Sequence, residues 1–511
     1  MTDTRVHREI ERKLEVPARF RLPRLDGAGH GIGAVVAQPT LRLQAVYYDT
    51  GDLRLARHRI TLRRRTGGGD DGWHLKLPHA DESTRDEVQL PLGEPGHPPA
   101  ALATLVLGVT RGAALQPVAT LRTMRHRWQI DDEQGRPLAE LTDDRVSVSG
   151  SAAGASKFRE LEVEAAEGRD APALDPVIAA LVAAGAQESG FASKAVRALG
   201  ARAVEPPDVP PPPAVSPSDP AGLAVHALLA QQVANFIAHD LRFRRGLPDA
   251  VHQMRVAARR MRSGLKVFAP LVDEEWATSL RGELAWIAGE LGAARDSEVL
   301  EARLLAGLAA LDELSERDRA KASKAVHREV GHDQHAATIA VHAALQSPRY
   351  LALLDLLVDA ARAPRLTEAA QQDAASALPP LMKATWKRLA REVGTLHTKG
   401  GDDDWHEARI RAKHARYAAE AMAPVFGEPA SKLAARLADV TDVLGLHQDA
   451  AVATLAAHTL ATRKRINGGA GYALGLLHDD QRREMKAARR RFRKLWPKVA
   501  AKRRRAWMRE G

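Results

Sequence analysis

The chain of 511 residues contains no cysteine, and only 4% of its residues are aromatic. Disulfides and thiolate metal sites are therefore excluded, so a bound metal would be held by carboxylate or imidazole groups. Residues 1–5 lack the apolar core of a signal peptide, and no apolar run approaches the length needed to span a bilayer. We therefore expect a cytoplasmic protein that does not enter the membrane.

Charge is distributed unevenly along the chain. The formal net charge is +11, yet residues 1–205 carry 28 basic and 28 acidic side chains. All of the net charge therefore lies in residues 206–511, and residues 481–511 alone carry 14 basic and 2 acidic side chains. This excess favours a polyanionic partner for the second part of the chain.

A proline-rich segment, residues 206–220, separates two regions of different composition and is expected to be extended. The length allows two to four domains. The expected domains are a first domain over 5–203, a linker over 204–220, a second domain over 221–500 and a basic tail over 501–511.

The first region contains short alternating segments separated by turn residues, which is typical of antiparallel strands. The segments are Leu41–Asp49, Arg59–Arg65, Gly72–Leu77, Asp86–Leu92, Leu121–Ile130, Leu138–Val148 and Lys157–Ala165. Residues 175–184 indicate a helix, with Asp175 as the N-cap and Pro176 in the first helical position. The first domain is therefore expected to be an antiparallel β-rich domain.

Near the start of the chain, Glu9, Glu11 and Lys13 alternate with other residues. If this segment is a strand, a side-chain period of two places all three on one face, with Ile10 on the other. Two carboxylates repel phosphate, so a phosphate site here requires a divalent cation between them, while Lys13 offsets substrate charge. The alternative is an edge strand whose charges are solvated.

The same alternation of polar residues occurs in later strands of the first region. It involves Arg63, Arg65, His74, Lys76, Arg85, Glu87, Gln89, Arg125, Arg127, Glu140, Asp144, Glu160, Glu162 and Glu164. Strands of this kind, closed into a barrel, have a charged interior and an apolar outside. The glutamates could hold one or two divalent cations opposite a chain of phosphates bound by Arg and Lys. The alternative is an ordinary sheet with one wet face.

A set of short motifs resembles the CYTH domain of the triphosphate tunnel metalloenzymes over residues 5–202. In chain order they are Glu9-x-Glu11-x-Lys13, Tyr47-Tyr48-Asp49-Thr50, Leu62-Arg63-Arg64-Arg65, Leu75-Lys76, Arg85-x-Glu87, Glu160-x-Glu162-x-Glu164 and Ser193-Lys194. The resemblance implies an antiparallel eight-stranded tunnel that binds triphosphate compounds with Mg²⁺ or Mn²⁺, and many members of the family hydrolyse them.

The resemblance also implies residue roles. The metal and water side would comprise Glu9, Glu11, Glu160, Glu162, Glu164 and Asp144, although Asp143 beside Asp144 leaves that last alignment ambiguous. Phosphate oxygens would be bound by Lys13, Arg63, Arg65, Lys76, Arg85, Arg125, Arg127 and Lys194. Catalysis would rest on Glu9, Glu11 and Lys13, with a glutamate chosen among Glu9, Glu11 and Glu162 to orient the attacking water.

The second region is rich in Ala, Leu, Arg and Glu, with apolar residues at helical spacing, and it repeats internally. Residues 251–262 match residues 405–416 at an offset of 154, and residues 291–296 match 444–449 at an offset of 153. Two pairs of matching segments separated by nearly the same offset indicate two homologous all-α halves, which are expected over 221–365 and 375–500.

Each half carries a basic stripe on one helix. The first comprises His252, Arg255, Arg259, Arg262 and Lys266, and the second His406, Arg409, Lys413 and Arg416. Stacked like charges destabilise an isolated helix, so an anion is expected to offset them. The alternatives are a solvated or salt-bridged helix face, and, for His252 and His406, buried packing positions. Basic residues of the tail could equally be a solvated helix or a fraying terminus.

This region resembles a CHAD domain, the conserved-histidine α-helical module, over residues 221–500. The resemblance implies a pseudo-two-fold helical bundle that binds inorganic polyphosphate through the two stripes. Glu420, in place of a basic stripe position, and His447, in place of Arg295, depart from the repeat. The two halves are therefore expected to contribute unequally.

The favoured function is metal-dependent hydrolysis of inorganic triphosphate or a related polyphosphate, with polyphosphate held by the helical domain. Its location would be the cytoplasm, with association to polyphosphate granules as an extension. The first alternative is a protein that binds polyphosphate without turnover. Nucleic-acid binding is disfavoured because few aromatic residues accompany the stripes, and a cyclase acting on ATP ranks below it.

Overall fold

The computed structural model describes residues 5–27, 31–78, 84–94, 96–190, 193–397, 399–464 and 466–509. Its internal contacts divide the chain into two compact units, Met1–Asp208 and Val209–Gly511.

The first unit is built on one antiparallel sheet. Its described strands are β1 (Arg5–Glu15), β2 (Val35–Asp49), β3 (Thr61–Thr66), β4 (Gly72–Pro78), β5 (Thr84–Leu90), β6 (Gln116–Asp131), β7 (Pro137–Ser149), β8 (Ser156–Ala165) and β9 (Gln187–Glu188). Its described helices are α1 (Arg54–Arg57), α2 (Ala100–Leu105), α3 (Leu107–Thr110), α4 (Asp175–Ala183) and α5 (Lys194–Leu199). The expected β-rich fold is therefore confirmed, with β2 and β6 several residues longer than the sequence pattern indicated.

Strand β1 closes the sheet into a tunnel. Its residues 5–10 pair with β5 and its residues 11–15 pair with β8, so the strands follow the ring order β1, β5, β4, β3, β2, β6, β7, β8. The short β9 adds to β1 beside Leu14 and Glu15. Among the described residues the sheet thus has nine strands, of which eight form the ring.

Helix α4 covers the outside of the tunnel over β1, β7 and β8. Its Val177, Ile178 and Leu181 pack with buried strand residues such as Leu14 and Leu161. The expected cap was wrong by one position, because Asp175 is the first helical residue and Leu174 occupies the N-cap without a side-chain hydrogen bond. Asp175 still places a carboxylate in the first turn, where the helix dipole favours it.

One end of the tunnel is filled by a second apolar cluster. Interior strand residues, among them Ala45, Leu121 and Val146, pack against Val196 and Leu199 of α5. The side chain of Ser193 caps α5 by accepting a hydrogen bond from the Val196 N–H at 3.2 Å. The cap fixes where the helix begins, and Lys194, its first residue, therefore lies at the floor of the tunnel.

The second unit is all-helical, as expected. Its described helices are α6 (Gly222–Arg244), α7 (Ala250–Val267), α8 (Glu274–Ala309), α9 (Glu316–Ala344), α10 (Pro348–Arg362), α11 (Ala374–Gly394), α12 (Asp402–Phe426), α13 (Glu428–Ala461) and α14 (Gly468–Val499). Helices α6 to α9 and α11 to α14 repeat the same order, and the two stripe helices, α7 and α12, pack against each other. None of the described helices combines the length and hydropathy required to cross a bilayer.

Candidate functional site

The tunnel encloses a cavity of about 340 Å³ lined mainly by charged side chains. Its wall includes Glu11, Lys13, Tyr47, Arg63, Arg65, Asp70, Lys76, Glu87, Arg125, Arg127, Glu140, Glu162, Glu164 and Lys194. Asp70 comes from the loop between β3 and β4, and Lys194 comes from α5. The period of two along each strand puts the strand residues of this wall inside and residues such as Leu62, Leu75 and Val163 on the opposite face. The alternative of a sheet with a solvated polar face therefore does not apply here.

Three adjacent strands supply an acidic row on the wall of the cavity. Glu164 on β8 lies opposite Glu11 on β1 and Glu140 on β7 in the strand register. Burial raises the pKa of Glu164, and the Glu11 carboxylate raises it further. Burial also acts to raise the pKa of Glu11, but Lys13, whose ammonium donates to Glu11 at 2.7 Å, makes the net shift downward.

The floor of the cavity holds a cation from the protein itself. The Lys194 ammonium lies 2.9 Å from Asp144, 2.7 Å from Glu160 and 2.7 Å from Glu162. Burial acts to lower the pKa of Lys194, but these carboxylates raise it well above its ordinary value. Arg125 adds a bidentate pair with Asp144, at 2.9 and 2.7 Å, and reaches Glu162 at 3.0 Å.

The two neighbouring aspartates of β7 have separate roles. Asp144 faces inward and is fully buried beneath Lys194 and Arg125. Asp143 faces outward and forms a buried bidentate pair with Arg159 at 2.8 and 2.7 Å. Of the two, Asp144 is therefore the one on the inward face of the sheet, and its role as a metal ligand stays a prediction.

The strands across the ring supply a basic wall. Arg63, Arg65 and Lys76 project from β3 and β4, and burial, followed by the charges of Arg63 and Arg125, lowers the pKa of Arg65 to about 10. Glu87 lies 3.9 Å from both Arg63 and Lys76. The buried His74 ring bonds to Glu87 at 2.8 Å and to the Asp70 carbonyl at 2.9 Å, so both ring nitrogens are engaged and the ring orients Glu87.

Two groups of acidic residues differ in how well they could bind a divalent cation. The carboxylate oxygens of Asp144, Glu160 and Glu162 lie within 4.8 Å of one another, but Lys194 already lies between them. Glu164, in contrast, has no hydrogen bond or ion pair with any described residue, and its neighbours across both strands are carboxylates. A hard cation with oxygen ligands would relieve that repulsion.

Most of the sequence-derived tunnel residues are brought together, and two lie partly outside the described structure. Glu9 and Arg85 are register partners on β1 and β5, but their side chains are not among the described residues. Tyr47, Asp70 and Glu87 also line the cavity and were not assigned a role from the sequence. The alternation that includes Glu87 was the available signal, whereas Asp70 follows a glycine turn that carries no such period.

In the helical unit, the two stripe helices line a basic cavity of about 400 Å³. Its wall comprises Arg259, Arg262, Ser263, Lys266, Arg281, His406, Arg409, Ile410, Lys413, His414 and Tyr417. A second cavity of about 270 Å³ is lined by Ser263, Lys266, Val267, Thr385, Arg388, Arg411 and His414. No carboxylate lies on either described wall.

The basic charges of these cavities are poorly compensated. Burial and the charges of Arg409 and Arg259 lower the pKa of Lys413 to about 7. Burial, with Lys266 and Arg411 as the next causes, lowers the pKa of His414 to about 4. The buried Nε atoms of Arg259 and Arg409 have no hydrogen-bond partner among the described residues. The arrangement favours occupation by an anion.

Some stripe residues lie elsewhere on the same helices. Arg255 bonds to Asp296 and to the Gly292 carbonyl, both at 2.9 Å. Arg416 bonds to Glu420 at 2.7 Å, and His252 is absent from the described cavity walls.

The histidines of the second half differ in their surroundings. His406 lies on the larger cavity wall, and its Nδ1 atom bonds to Gln448 at 2.8 Å. His447 is buried, stacks on Trp405 and accepts a hydrogen bond from Arg489. The departure of His447 from the repeat therefore corresponds to a packing position.

Four basic residues of the cavities were missed by the sequence reasoning: Arg281, Arg388, Arg411 and His414. Arg411 lies two positions from Arg409 and His414 lies one position from Lys413, so the two form a neighbouring stripe on α12. Arg281 and Arg388 belong to α8 and α11, and only helix packing brings them to the cavities.

The fold and its charges define a two-unit chain, a closed antiparallel tunnel followed by an all-helical unit. The CYTH domain model matches residues 7–175 and the CHAD domain model matches residues 227–458. Uncharacterized proteins from two strains of Mycobacterium tuberculosis are 34% identical over 96% of this chain and 97% of their own length. The chain therefore belongs to the family of proteins in which a CYTH domain is followed by a CHAD domain.

Solved structures resemble parts of the chain. PptA from Streptomyces chartreusis is 32% identical, with a TM-score of 0.48, and covers 54% of this chain and 99% of its own. The CHAD domain from the plant Ricinus communis is 25% identical, with a TM-score of 0.42, and covers 55% of this chain and 94% of its own. CYTH domains are metal-dependent, and members of that family are triphosphatases or cyclases.

Proposed function

We propose that the tunnel hydrolyses inorganic triphosphate or a related polyphosphate with Mg²⁺ or Mn²⁺, and that the helical unit binds inorganic polyphosphate. The main support for the enzymatic part is that one cavity has an acidic side and a basic side. The acidic row comprises Glu11, Glu164 and Glu140, and the basic wall comprises Arg63, Arg65 and Lys76. A linear phosphate chain beside a cation requires this combination of charges.

The basic wall would bind and orient the substrate. Arg63 and Arg65 can each present several N–H donors to phosphate oxygens, and Lys76 contributes a point charge. Holding a phosphoryl group in line with its attacking water supplies much of the catalysis of phosphoryl transfer, because little covalent chemistry is left to the protein.

The acidic row would hold the cation, with Glu164 and Glu11 as the principal ligands and Glu140 beside them. A bound divalent cation neutralises phosphate oxygens and acts as a Lewis acid. Of the glutamates considered for orienting the water, Glu162 is engaged by Lys194 and Arg125. Glu11 is engaged only by Lys13 among its described partners, so it is the better placed of the two.

Phosphate release from tripolyphosphate tests the enzymatic proposal. We expect turnover with Mg²⁺ or Mn²⁺ that is abolished by EDTA and falls at least about a hundredfold in Glu11→Gln and Glu164→Gln. The matched control is Glu167→Gln, an exposed carboxylate just after β8, which should retain full activity. Saturable binding of tripolyphosphate without phosphate release would favour the non-catalytic alternative.

The polyphosphate proposal for the helical unit rests on its poorly compensated basic cavities. Replacing Arg409 and Lys413 together by Gln should weaken binding of long-chain polyphosphate while leaving tripolyphosphate turnover intact. Unchanged affinity in that variant would contradict the proposal. With this binding we also propose a cytoplasmic location and association with polyphosphate granules.

A further inference from the structure

We propose that four basic residues of α11, Lys383, Lys387, Arg388 and Arg391, form a track that extends the binding path for long polyphosphate chains out of the helical cavities. The track would lead toward the basic residues of α14 and the segment 502–509. This inference rests on the proposed binding of polyphosphate and adds a second surface, with a preference for long chains.

The two helical cavities provide the start of the track. They share Ser263, Lys266 and His414 on their walls, so they adjoin each other. The smaller cavity adds Arg388 of α11 and Arg411 of α12. An anion that leaves the stripe cavity by this side therefore meets Arg388 next.

The periodicity of α11 places the other track residues beside Arg388. At about 100° per residue, the order around the helix is Arg388, Arg391, Lys387 and then Lys383. All four are exposed, whereas Met382 and Leu389 on the opposite side are buried, and Trp386, which comes next after Lys383 around the helix, is buried as well. Basic side chains therefore cover the outer surface of α11 from the cavity side to its far side.

The track residues are not engaged elsewhere. None of the four forms an ion pair or side-chain hydrogen bond with a described residue. The nearest acidic residue of the helix, Glu392, is half-buried one turn beyond Arg388. Four unpaired cations along about two turns of helix repel one another, and a polyanion would offset that repulsion.

The far side of α11 meets the C-terminal basic elements. Trp386 stacks on Trp496 of α14 at a centroid distance of 5.5 Å, and Arg505 lies over the Trp386 ring at 4.6 Å. Trp507 is buried and packs on Phe426 at 4.9 Å, so the segment 502–509 is docked. Residues 485–509 contain no acidic residue.

An unadorned phosphate chain fits this path better than nucleic acid. The cavities at its start are recessed and small, about 400 and 270 Å³, which suits a single chain of phosphates and excludes a duplex. The aromatic ring of α11 that lies near the track, Trp386, is buried and already stacked, so it offers no platform for bases.

The test compares chain lengths in the full-length protein. Binding of long-chain polyphosphate and of tripolyphosphate is measured in EDTA over a range of salt, for wild type and the variant Lys383→Gln, Lys387→Gln, Arg391→Gln. The matched control, Arg317→Gln, Lys324→Gln, Lys464→Gln, removes the same charge from exposed positions on α9 and just after α13. The variant Arg409→Gln, Lys413→Gln reports on the stripe cavity itself.

The track variant should bind long chains about tenfold more weakly, and the slope of log affinity against log salt concentration should be about 2 smaller in magnitude. Its binding of tripolyphosphate should be unchanged, and the control variant should bind both ligands as wild type does. Equal loss for short and long chains, no loss, or a loss seen only with duplex DNA or RNA would overturn the track. If the stripe variant also binds polyphosphate normally, the proposed function of the helical unit fails as well, so the two failures are distinguishable.

Discussion

Two partly buried lysines show how differently the two units handle charge. Lys194 lies among three carboxylates of the tunnel, which raise its pKa. Lys413 lies beside Arg409 and Arg259 in the helical unit, and its pKa is lowered to about 7. The same side chain is therefore stabilised as an ammonium in one unit and destabilised in the other.

The difference concerns what each unit lacks. The tunnel contains both acidic and basic side chains in fixed strand register, and the carboxylate of Glu164 lacks a cationic partner among the described residues. The described walls of the helical cavities carry basic residues and no carboxylates, so a bound anion would offset their charge. A metal ion with its phosphate substrate would balance the charges of the tunnel, and polyphosphate alone would balance those of the helical cavities.

The largest effect should come from deleting the two lysines. Lys194→Ala leaves three buried carboxylates without their ammonium and should lower the free energy of unfolding of the tunnel unit by about 3 kcal/mol. Lys413→Ala removes a destabilised charge and should cause no loss, or a gain. Chemical denaturation of both variants at pH 7 measures the difference.

Two further replacements of Lys194 separate charge from packing. Lys194→Arg keeps the charge but not the shape, and Lys194→Met keeps much of the shape without the charge. If Lys194→Met is as stable as wild type, the ammonium does not hold the floor of the tunnel together.

The next effect is on the pH dependence of polyphosphate binding. The groups that act on Lys413 are Arg409, Arg259, Arg255 and Asp449. Because the free pKa is about 7 and an anion would raise it, binding should take up a proton, and affinity should fall about tenfold from pH 6.5 to 8.5. Calorimetry in buffers of different ionisation enthalpy measures the proton uptake.

Lys413→Arg is the control for this prediction because arginine stays charged throughout that range. It should bind with little dependence on pH between 6.5 and 8.5. A wild type whose affinity is flat over this range would contradict the assignment of a depressed pKa to Lys413.

The smallest effect should distinguish two arginines of one stripe. Arg409 lines the cavity with an unpartnered Nε, whereas Arg416 is held by Glu420 and by Thr441 at 3.1 Å. Arg409→Gln should weaken polyphosphate binding about fivefold and Arg416→Gln less than twofold. Equal effects in a titration at constant salt would mean that ion pairing on the helix does not remove Arg416 from the site.

Much of the tunnel could be predicted because strand periodicity is local. Alternation along β1 and β8 is enough to place Glu11, Lys13, Glu162 and Glu164 on one face of the sheet. It could not show that Lys194, from a helix far along the chain, lies between Asp144, Glu160 and Glu162. That position depends on the packing of α5 at the tunnel floor.

The helical unit was predictable in its elements and less so in its cavities. The repeat located α7 and α12, and their stripes supplied Arg259, Lys266 and Lys413. Helical spacing places Arg416 on the same stripe, but Arg416 forms an ion pair with the carboxylate of Glu420 and does not line the cavity. Arg281 and Arg388 come from other helices, so a single-helix pattern could not include them.

Binding of Mn²⁺ to the full-length chain, followed by electron paramagnetic resonance without substrate, tests the central claim most directly. Wild type should bind Mn²⁺ saturably, the double variant Glu11→Gln, Glu164→Gln should lose that binding, and the control Glu167→Gln should retain it. Mn²⁺ binding that survives in the double variant would contradict the assignment of the cation to the acidic row opposite the basic wall.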